Sequence, residues 1–74
     1  MNSFSDVVNL WPAAKTLATE LGEKRATVQK WRERDWIPAE YWLRIIDAGK
    51  RQRIRIPLLR LAELAAERQN GAGT

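Results

Sequence analysis

The residues best suited to chemistry lie between positions 24 and 34, where five basic side chains accompany a single glutamine. If this stretch is a helix, Val28 and Trp31 lie three residues apart on the side that faces the protein interior. The opposite side then exposes a polar ridge, which consists of Lys24, Arg25, Ala26, Gln29, Lys30 and Glu33. Arginine can bond two acceptors of guanine, glutamine can pair with the adenine edge, and lysine can reach guanine or phosphate. The ridge therefore predicts contact with the major groove of DNA.

Residues beside the ridge extend the predicted DNA contacts. Small Ala26 permits close approach and can touch a thymine methyl group. Thr27 is expected to be an N-cap or a phosphate donor, and Lys15 is expected to face the phosphates of the flanking backbone. Glu33 can repel phosphate or accept a hydrogen bond from cytosine. The predicted contact set is Lys15, Lys24, Arg25, Ala26, Thr27, Gln29, Lys30 and Arg34.

A helix-turn-helix over residues 14–33 would position this ridge, because the motif needs two helices that cross closely at a short turn. Ala18 supplies the small residue where the helices touch, and Gly22 supplies the left-handed turn four residues later. The expected apolar anchors are Leu17, Leu21, Val28 and Trp31. Glu23 departs from the pattern, since this turn position is usually apolar.

Helical spacing of apolar residues continues along nearly the whole chain, so we expect an all-α fold: a small five-helix domain with a central helix-turn-helix. The predicted helices span about residues 4–10, 12–21, 24–34, 38–48 and 57–69, and the start of the third is left open between Lys24 and Thr27. Ser3 or Ser5 is the expected N-cap of the first helix, and Gly49 is the expected left-handed residue after the fourth. Residues 1–69 are predicted to form one DNA-binding domain, followed by a disordered tail over 70–74.

The apolar residues also suggest how the core and a dimer form. Of the four tryptophans, we assign Trp31 and one of Trp36 or Trp42 to the core. A 74-residue chain buries only about 60% of its unfolded surface, so dimerisation would add stability. The fifth helix is the expected contact between copies, because it carries an apolar stripe of Leu58, Leu61, Ala62, Leu64 and Ala65.

Positive charge is concentrated in the middle of the chain. Residues 24–60 carry eleven basic and four acidic side chains, a net charge of +7, whereas residues 1–23 carry −2 and residues 61–74 carry −1. This distribution favours a polyanion-binding surface. Lys50, Arg51, Gln52, Arg53 and Arg55 form a second basic cluster. Nonspecific phosphate contact and a solvated connector explain this second cluster equally well.

Composition argues against other classes of protein. The chain has no cysteine and no histidine, so it lacks the commonest general base and the commonest zinc ligands. We therefore expect no enzyme activity, no catalytic residues, no metal, no cofactor and no small-molecule substrate. The sequence has no apolar run of the roughly 18 to 20 residues that cross a bilayer, and its first residues do not resemble a signal peptide. The expected location is the cytoplasm of a bacterial or phage-infected cell, in association with the nucleoid.

Four segments, VVNLW (7–11), AKTLATELG (14–22), ATVQKW (26–31) and IPAEYW (37–42), resemble the Cro proteins of lambdoid phages, and the all-helical branch most closely. The resemblance covers about residues 4–55. It implies a lambda repressor/Cro-like fold and a transcriptional repressor that binds a near-palindromic double-stranded DNA operator as a homodimer. The final helix lies outside the matched region, so the resemblance implies nothing about it.

Two alternatives remain open. Excisionase-like and winged-helix proteins also place a tryptophan, basic residues and an Ile-Pro step after the motif, but continue into a two-stranded wing, for which residues 53–56 could supply one strand. A protein–protein interaction module of the anti-repressor type would instead expose an apolar surface. Residues 40–48 have helical spacing, which favours the Cro-like continuation over the wing.

Overall fold

The computed structural model describes the backbone of residues 1–72 and the side chains of residues 1–68. Five α-helices form: α1 (Phe4–Val8), α2 (Ala14–Leu21), α3 (Arg25–Arg34), α4 (Trp42–Arg51) and α5 (Leu58–Ala72). A single turn of 3-10 helix, Ala39–Tyr41, leads into α4. No strand occurs within residues 1–72, and residues 53–56 are irregular. The predicted all-helical class and the number of helices are confirmed.

The first helix is capped as the sequence predicts but is shorter. The Ser3 side chain accepts a 3.1 Å hydrogen bond from the Asp6 backbone N–H, which makes Ser3 the N-cap. After Val8 the chain tightens, because the N–H groups of Leu10 and Trp11 bond the carbonyls three residues before them. The predicted helical residues 9 and 10 are therefore a turn.

The turn between α2 and α3 has the predicted left-handed glycine. Gly22 has φ +71°, and the N–H of Glu23 bonds the Ala18 carbonyl at 2.9 Å while that of Gly22 bonds Thr19. These two bonds are a Schellman motif, which satisfies carbonyls at the end of α2. The prediction of Thr27 as an N-cap is wrong: Lys24 is the N-cap, and Thr27 lies inside the first turn of α3.

The end of α3 is held by α1. Asp35 follows α3 in a left-handed conformation, with φ +53°, and its carboxylate accepts a 2.9 Å hydrogen bond from the Ser5 N–H. The Ser5 hydroxyl in turn donates to the Arg32 carbonyl at 2.6 Å. The N-terminal helix thus bonds the last turn of α3 directly.

The prediction for Gly49 is wrong. Gly49 lies inside α4 and is buried, and α4 continues to Arg51 instead of ending at residue 48. A Cβ atom on Gly49 would stand 2.8 Å from the Ile54 carbonyl oxygen, so glycine is needed here for close approach. The left-handed residue after α4 is Arg53, with φ +58°.

The core contains side chains from all five helices and from the connecting segments. Trp31 is buried, as predicted, whereas Trp36 and Trp42 are both half-buried. Phe4 lies between them, with its ring centroid 5.3 Å from that of Trp36 and 6.1 Å from that of Trp42. Trp11, which the prediction did not assign, is also buried. Neither Trp36 nor Trp42 is therefore in the buried core, where the prediction placed one of them, and both pack against its edge.

The last helix packs on the core through part of its predicted stripe. Leu61 and Leu64 are buried, Ala65 is half-buried, and Leu58 and Ala62 are exposed. The helix runs to Ala72, beyond the predicted end at residue 69, while residues 73 and 74 of the predicted tail lie outside the described residues. Among the described helices, none has the length and apolar content that a membrane span requires.

Candidate nucleic-acid interface

Two neighbouring helices bury one side of α3 and leave the other side open. The helix packs against α1 and α2, and its buried residues are Val28 and Trp31. The Trp31 ring also contacts Tyr41, with ring centroids 4.7 Å apart. The two buried residues are three positions apart and share one side of the helix, and the residues opposite them, Ala26, Lys30 and Glu33, are exposed. This arrangement is the one that the spacing of Val28 and Trp31 predicts.

The exposed side of α3 carries the predicted ridge. Ala26, Gln29, Lys30 and Glu33 follow the spacing of neighbours on one helix side, and all but half-buried Gln29 are exposed. The Gln29 amide donates a 3.3 Å hydrogen bond to the Glu33 carboxylate. Gln29 is therefore bonded to a neighbour on its own helix.

A cleft of about 290 Å³ lies on the surface between α3 and the beginning of α2. Its lining residues are Pro12, Ala13, Ala14, Lys15, Arg25, Gln29 and Arg32. Three predicted contact residues, Lys15, Arg25 and Gln29, thus meet around one concave surface. Three of the lining residues are cations and none is a carboxylate, so the cleft favours an anion.

Arg32 is a member of this cleft that the predicted contact set left out. It lies three residues after Gln29 and seven after Arg25. In a helix, this spacing puts the three side chains on the same side. That spacing was the available signal in the sequence. The sequence alone does not show where α2 lies relative to α3. The first turn of α2 supplies Lys15 to the other wall of the cleft.

The remaining predicted residues lie around the ridge but do not line the cleft. Lys24 is exposed just before α3. Half-buried Thr27 and exposed Arg34 are seven residues apart and share the flank of α3 away from Arg25. The structure therefore divides the predicted set into a cleft group, a central row on α3 and a second flank.

The unusual turn residue Glu23 has a partner on α4. Its carboxylate lies 3.5 Å from the Arg44 guanidinium, which also donates to the Leu21 carbonyl and lies 5.3 Å from the centre of the Tyr41 ring. Partial burial and the neighbouring Glu23 carboxylate raise the pKa of Tyr41 above its ordinary value of 10.0. A charged residue in the turn therefore links α4 to the turn between α2 and α3.

The second basic cluster lies next to the other end of α2. Arg51 donates to the Glu20 carbonyl at 3.5 Å, and the Gln52 amide donates to the Glu20 carboxylate. The same carboxylate accepts a 2.8 Å hydrogen bond from the Trp11 indole. Glu20 lies near the end of α2, whereas Lys15 lies in its first turn. The second cluster is therefore not part of the cleft.

The chain matches no protein-family model, no curated protein and no solved structure.

Proposed function

We propose that this protein is a sequence-specific double-stranded DNA-binding transcriptional regulator that inserts α3 into the major groove. The observation that carries the proposal is the open side of α3, where the ridge adjoins a cleft lined by three cations and no carboxylate. A major groove about 12 Å wide accepts an α-helix whose diameter with side chains is about 10–12 Å. The helix-turn-helix leaves this helix accessible on the required side.

The proposed roles follow from the positions of the side chains. Arg25, in the first turn of α3, bonds guanine, and Gln29, one turn later, bonds adenine. Lys15 and Arg32 lie on the walls of the cleft and bind backbone phosphates, which fixes the register of the helix on the duplex. Phosphate contacts supply much of the affinity, and base contacts supply the specificity.

We further propose a Cro-like mode of action, in which a homodimer binds a near-palindromic operator. Two recognition helices then enter successive major grooves about one helical turn apart, and the bound protein blocks polymerase at an overlapping promoter. This proposal rests on the sequence resemblance and on the helix-turn-helix geometry. It places the protein on the DNA of a bacterial or phage-infected cell.

Selection from a random pool of duplex DNA tests the proposed function. We expect recovery of a conserved, near-palindromic motif whose half-sites are separated by about one helical turn. Affinity for the selected site should fall steeply as salt rises from low to physiological concentration. A pool that shows no enrichment, together with no DNA binding in dilute buffer, would contradict the proposal.

A pair of charge-matched variants separates the interface from the general charge of the protein. Arg32→Ala should weaken binding to all DNA sequences alike and lower the salt slope by about 1. Arg60→Ala, on α5, removes the same charge outside the proposed interface and should leave the slope unchanged. Equal effects of the two variants would mean that the cleft is not a phosphate contact.

A further inference from the structure

A second concave surface lies between α4 and the segment that leads to α5. It encloses about 380 Å³, and its lining residues are Ile46, Lys50, Arg53, Ile54, Arg55, Ile56 and Pro57. Three isoleucines and a proline supply apolar surface, and three basic side chains accompany them. None of these residues belongs to the proposed DNA-binding cleft.

Exposed leucines continue the apolar surface beyond this groove. Leu43 is 68% exposed and precedes Ile46 by three residues on α4, so the two share one side of the helix. Leu58, 48% exposed, directly follows Pro57, and Leu59 is 72% exposed. Apolar side chains gathered around a groove mark an interaction surface on a small protein.

The charges around the groove are all of one sign. No ion pair joins Lys50, Arg53 or Arg55 to a carboxylate within residues 1–68. The closest acidic residue in sequence to Lys50 is Asp47, and its carboxylate binds Arg51 at 2.7 Å. The three basic residues therefore remain available to an acidic partner.

Carboxylates on α5 are also occupied within the chain. Glu63 and Glu67 both lie within ion-pair distance of Arg60, at 3.8 and 3.5 Å. A second copy of the protein that docked through the same groove would bring two sets of three cations together, and like charges at an interface are unfavourable. Nucleic acid would account for the three basic side chains but not for the isoleucines and the proline, which make no favourable contact with phosphate oxygens. An acidic polypeptide suits both the charge and the apolar lining.

We propose that this groove binds an acidic amphipathic helix from a partner protein. The apolar row of that helix enters between Ile46 and Ile54, and its flanking carboxylates meet Lys50, Arg53 and Arg55. This is helix-in-groove recognition, in which apolar anchors supply affinity and the surrounding charges select the partner. The regulator then contacts DNA through α3 and a protein through α4.

Binding of three synthetic helical peptides tests the inference. The probe is a fluorescent amphipathic helix with a leucine row flanked by glutamates. One control peptide replaces the glutamates by lysines, and the other replaces the leucines by alanines. In a fluorescence anisotropy titration with the full chain, we expect the glutamate–leucine peptide to bind about tenfold or more tightly than either control. Backbone amide shifts on binding should map to residues 43–59.

Matched variants locate the site. Lys50→Glu combined with Arg55→Glu should weaken binding of the glutamate–leucine peptide by about tenfold or more. Lys15→Glu combined with Arg25→Glu changes the net charge equally, lies in the DNA-binding cleft and should leave peptide binding unaltered. Leu43→Ser, at an exposed position, should weaken binding of the glutamate–leucine peptide without disturbing the core. Far-UV circular dichroism confirms that each variant is folded.

Several results would overturn the inference. Equal binding of the lysine and glutamate peptides would remove the charge argument, and equal effects of the two double variants would place the peptide elsewhere. Sedimentation that shows a dimer broken by Leu43→Ser would assign the groove to a second copy. A loss of DNA affinity in Lys50→Glu with Arg55→Glu, with peptide binding intact, would assign the basic residues to nucleic acid. DNA selection tests the proposed function separately, so the two proposals can fail independently.

Discussion

The Gln29 side-chain amide donates a 3.3 Å hydrogen bond to the Glu33 carboxylate one turn further along α3. Both side chains lie on the open side of the helix, and this bond favours one orientation of the Gln29 side chain in the free protein. The Glu33 carboxylate is also a negative charge on a side of α3 that is otherwise basic. In the proposed contact with adenine, Gln29 would use its amide oxygen and its second N–H, and Glu33 would hold the first N–H.

Replacing Glu33 by alanine should therefore strengthen DNA binding and relax specificity. Removal of the negative charge should improve nonspecific affinity by about 0.5–1 kcal/mol, and the effect should shrink at high salt. Anisotropy titrations with unrelated duplexes at two salt concentrations measure this change. Glu63→Ala, which removes an exposed carboxylate from α5, is the control. Equal affinities of Glu33→Ala and the parent would mean that Glu33 does not face DNA.

The variants Arg25→Ala and Gln29→Ala should each reduce affinity for the selected operator by about 1–3 kcal/mol. Because base contacts distinguish sequences, the loss should be smaller on unrelated DNA. Band-shift titrations on both duplexes measure the difference, and thermal melting should show an unchanged fold. Unaltered operator affinity would remove these residues from the base contacts.

Truncation of Trp31 should destabilise the fold. Trp31 is buried on the inner side of α3, and its ring packs against that of Tyr41. Trp31→Ala should therefore lower the free energy of unfolding by about 3–5 kcal/mol. Chemical denaturation followed by circular dichroism measures this loss. The neighbouring exposed variant Lys30→Ala should stay within about 0.5 kcal/mol of the parent. Similar stabilities of the two variants would indicate that α3 is rotated about its axis.

Two glycines should respond differently to substitution. Gly49→Ala places a methyl group 2.8 Å from the Ile54 carbonyl oxygen, and the resulting overpacking should cost about 1–3 kcal/mol. Gly22→Ala meets no atom within 4 Å, so its cost of about 1–2 kcal/mol arises from the left-handed backbone. Asparagine, which tolerates that conformation, should recover part of the loss at position 22 and none at position 49. Recovery at both positions in denaturant melts would contradict the close contact at Gly49.

The ionisation of Tyr41, the single tyrosine of the chain, reports on its contact with Glu23 in the turn between α2 and α3. Partial burial and the Glu23 carboxylate raise the pKa of Tyr41, so its absorbance should titrate above pH 10.0. Since the folded state favours the protonated phenol, this contribution to stability is present below pH 10.0 and is lost as pH rises through the raised pKa. Glu23→Gln should lower the pKa of Tyr41 without abolishing the effect of burial. A pKa at or below 10.0 in the parent would contradict the observed surroundings.

Local spacing was sufficient to predict α2, the turn at Gly22 and the buried side of α3. Gly22 stands after an apolar helical segment, and Val28 and Trp31 define the buried side of the next helix, so both the turn and the open ridge can be derived from neighbours in sequence. The start of α3 could not be derived in this way. Thr27 has the chemistry of an N-cap, but the backbone enters the helix at Lys24 without a side-chain cap.

Features that depend on distant segments were harder to predict. A glycine that ends a helix and a glycine that admits a close contact look alike in sequence, and only the return of the chain at Ile54 and Ile56 distinguishes Gly49. Membership of Arg32 in the cleft likewise depends on where the first turn of α2 lies. Trp11 is buried with its indole N–H bonded to Glu20, and this pairing joins residues nine positions apart.

The two hydrogen bonds from Ser5 give the N-terminal helix a role in aiming α3. One end of α3 is fixed by the Gly22 turn, and the other end is fixed when Ser5 bonds Arg32 and Asp35. Because both ends of α3 are held, the helix can change its tilt only if one of these sets of hydrogen bonds breaks. Thermal fraying of the first few residues would therefore loosen the angle of α3 while its helical hydrogen bonds stay intact. Under the proposed function, the accuracy of DNA reading would then decline before the fold melts.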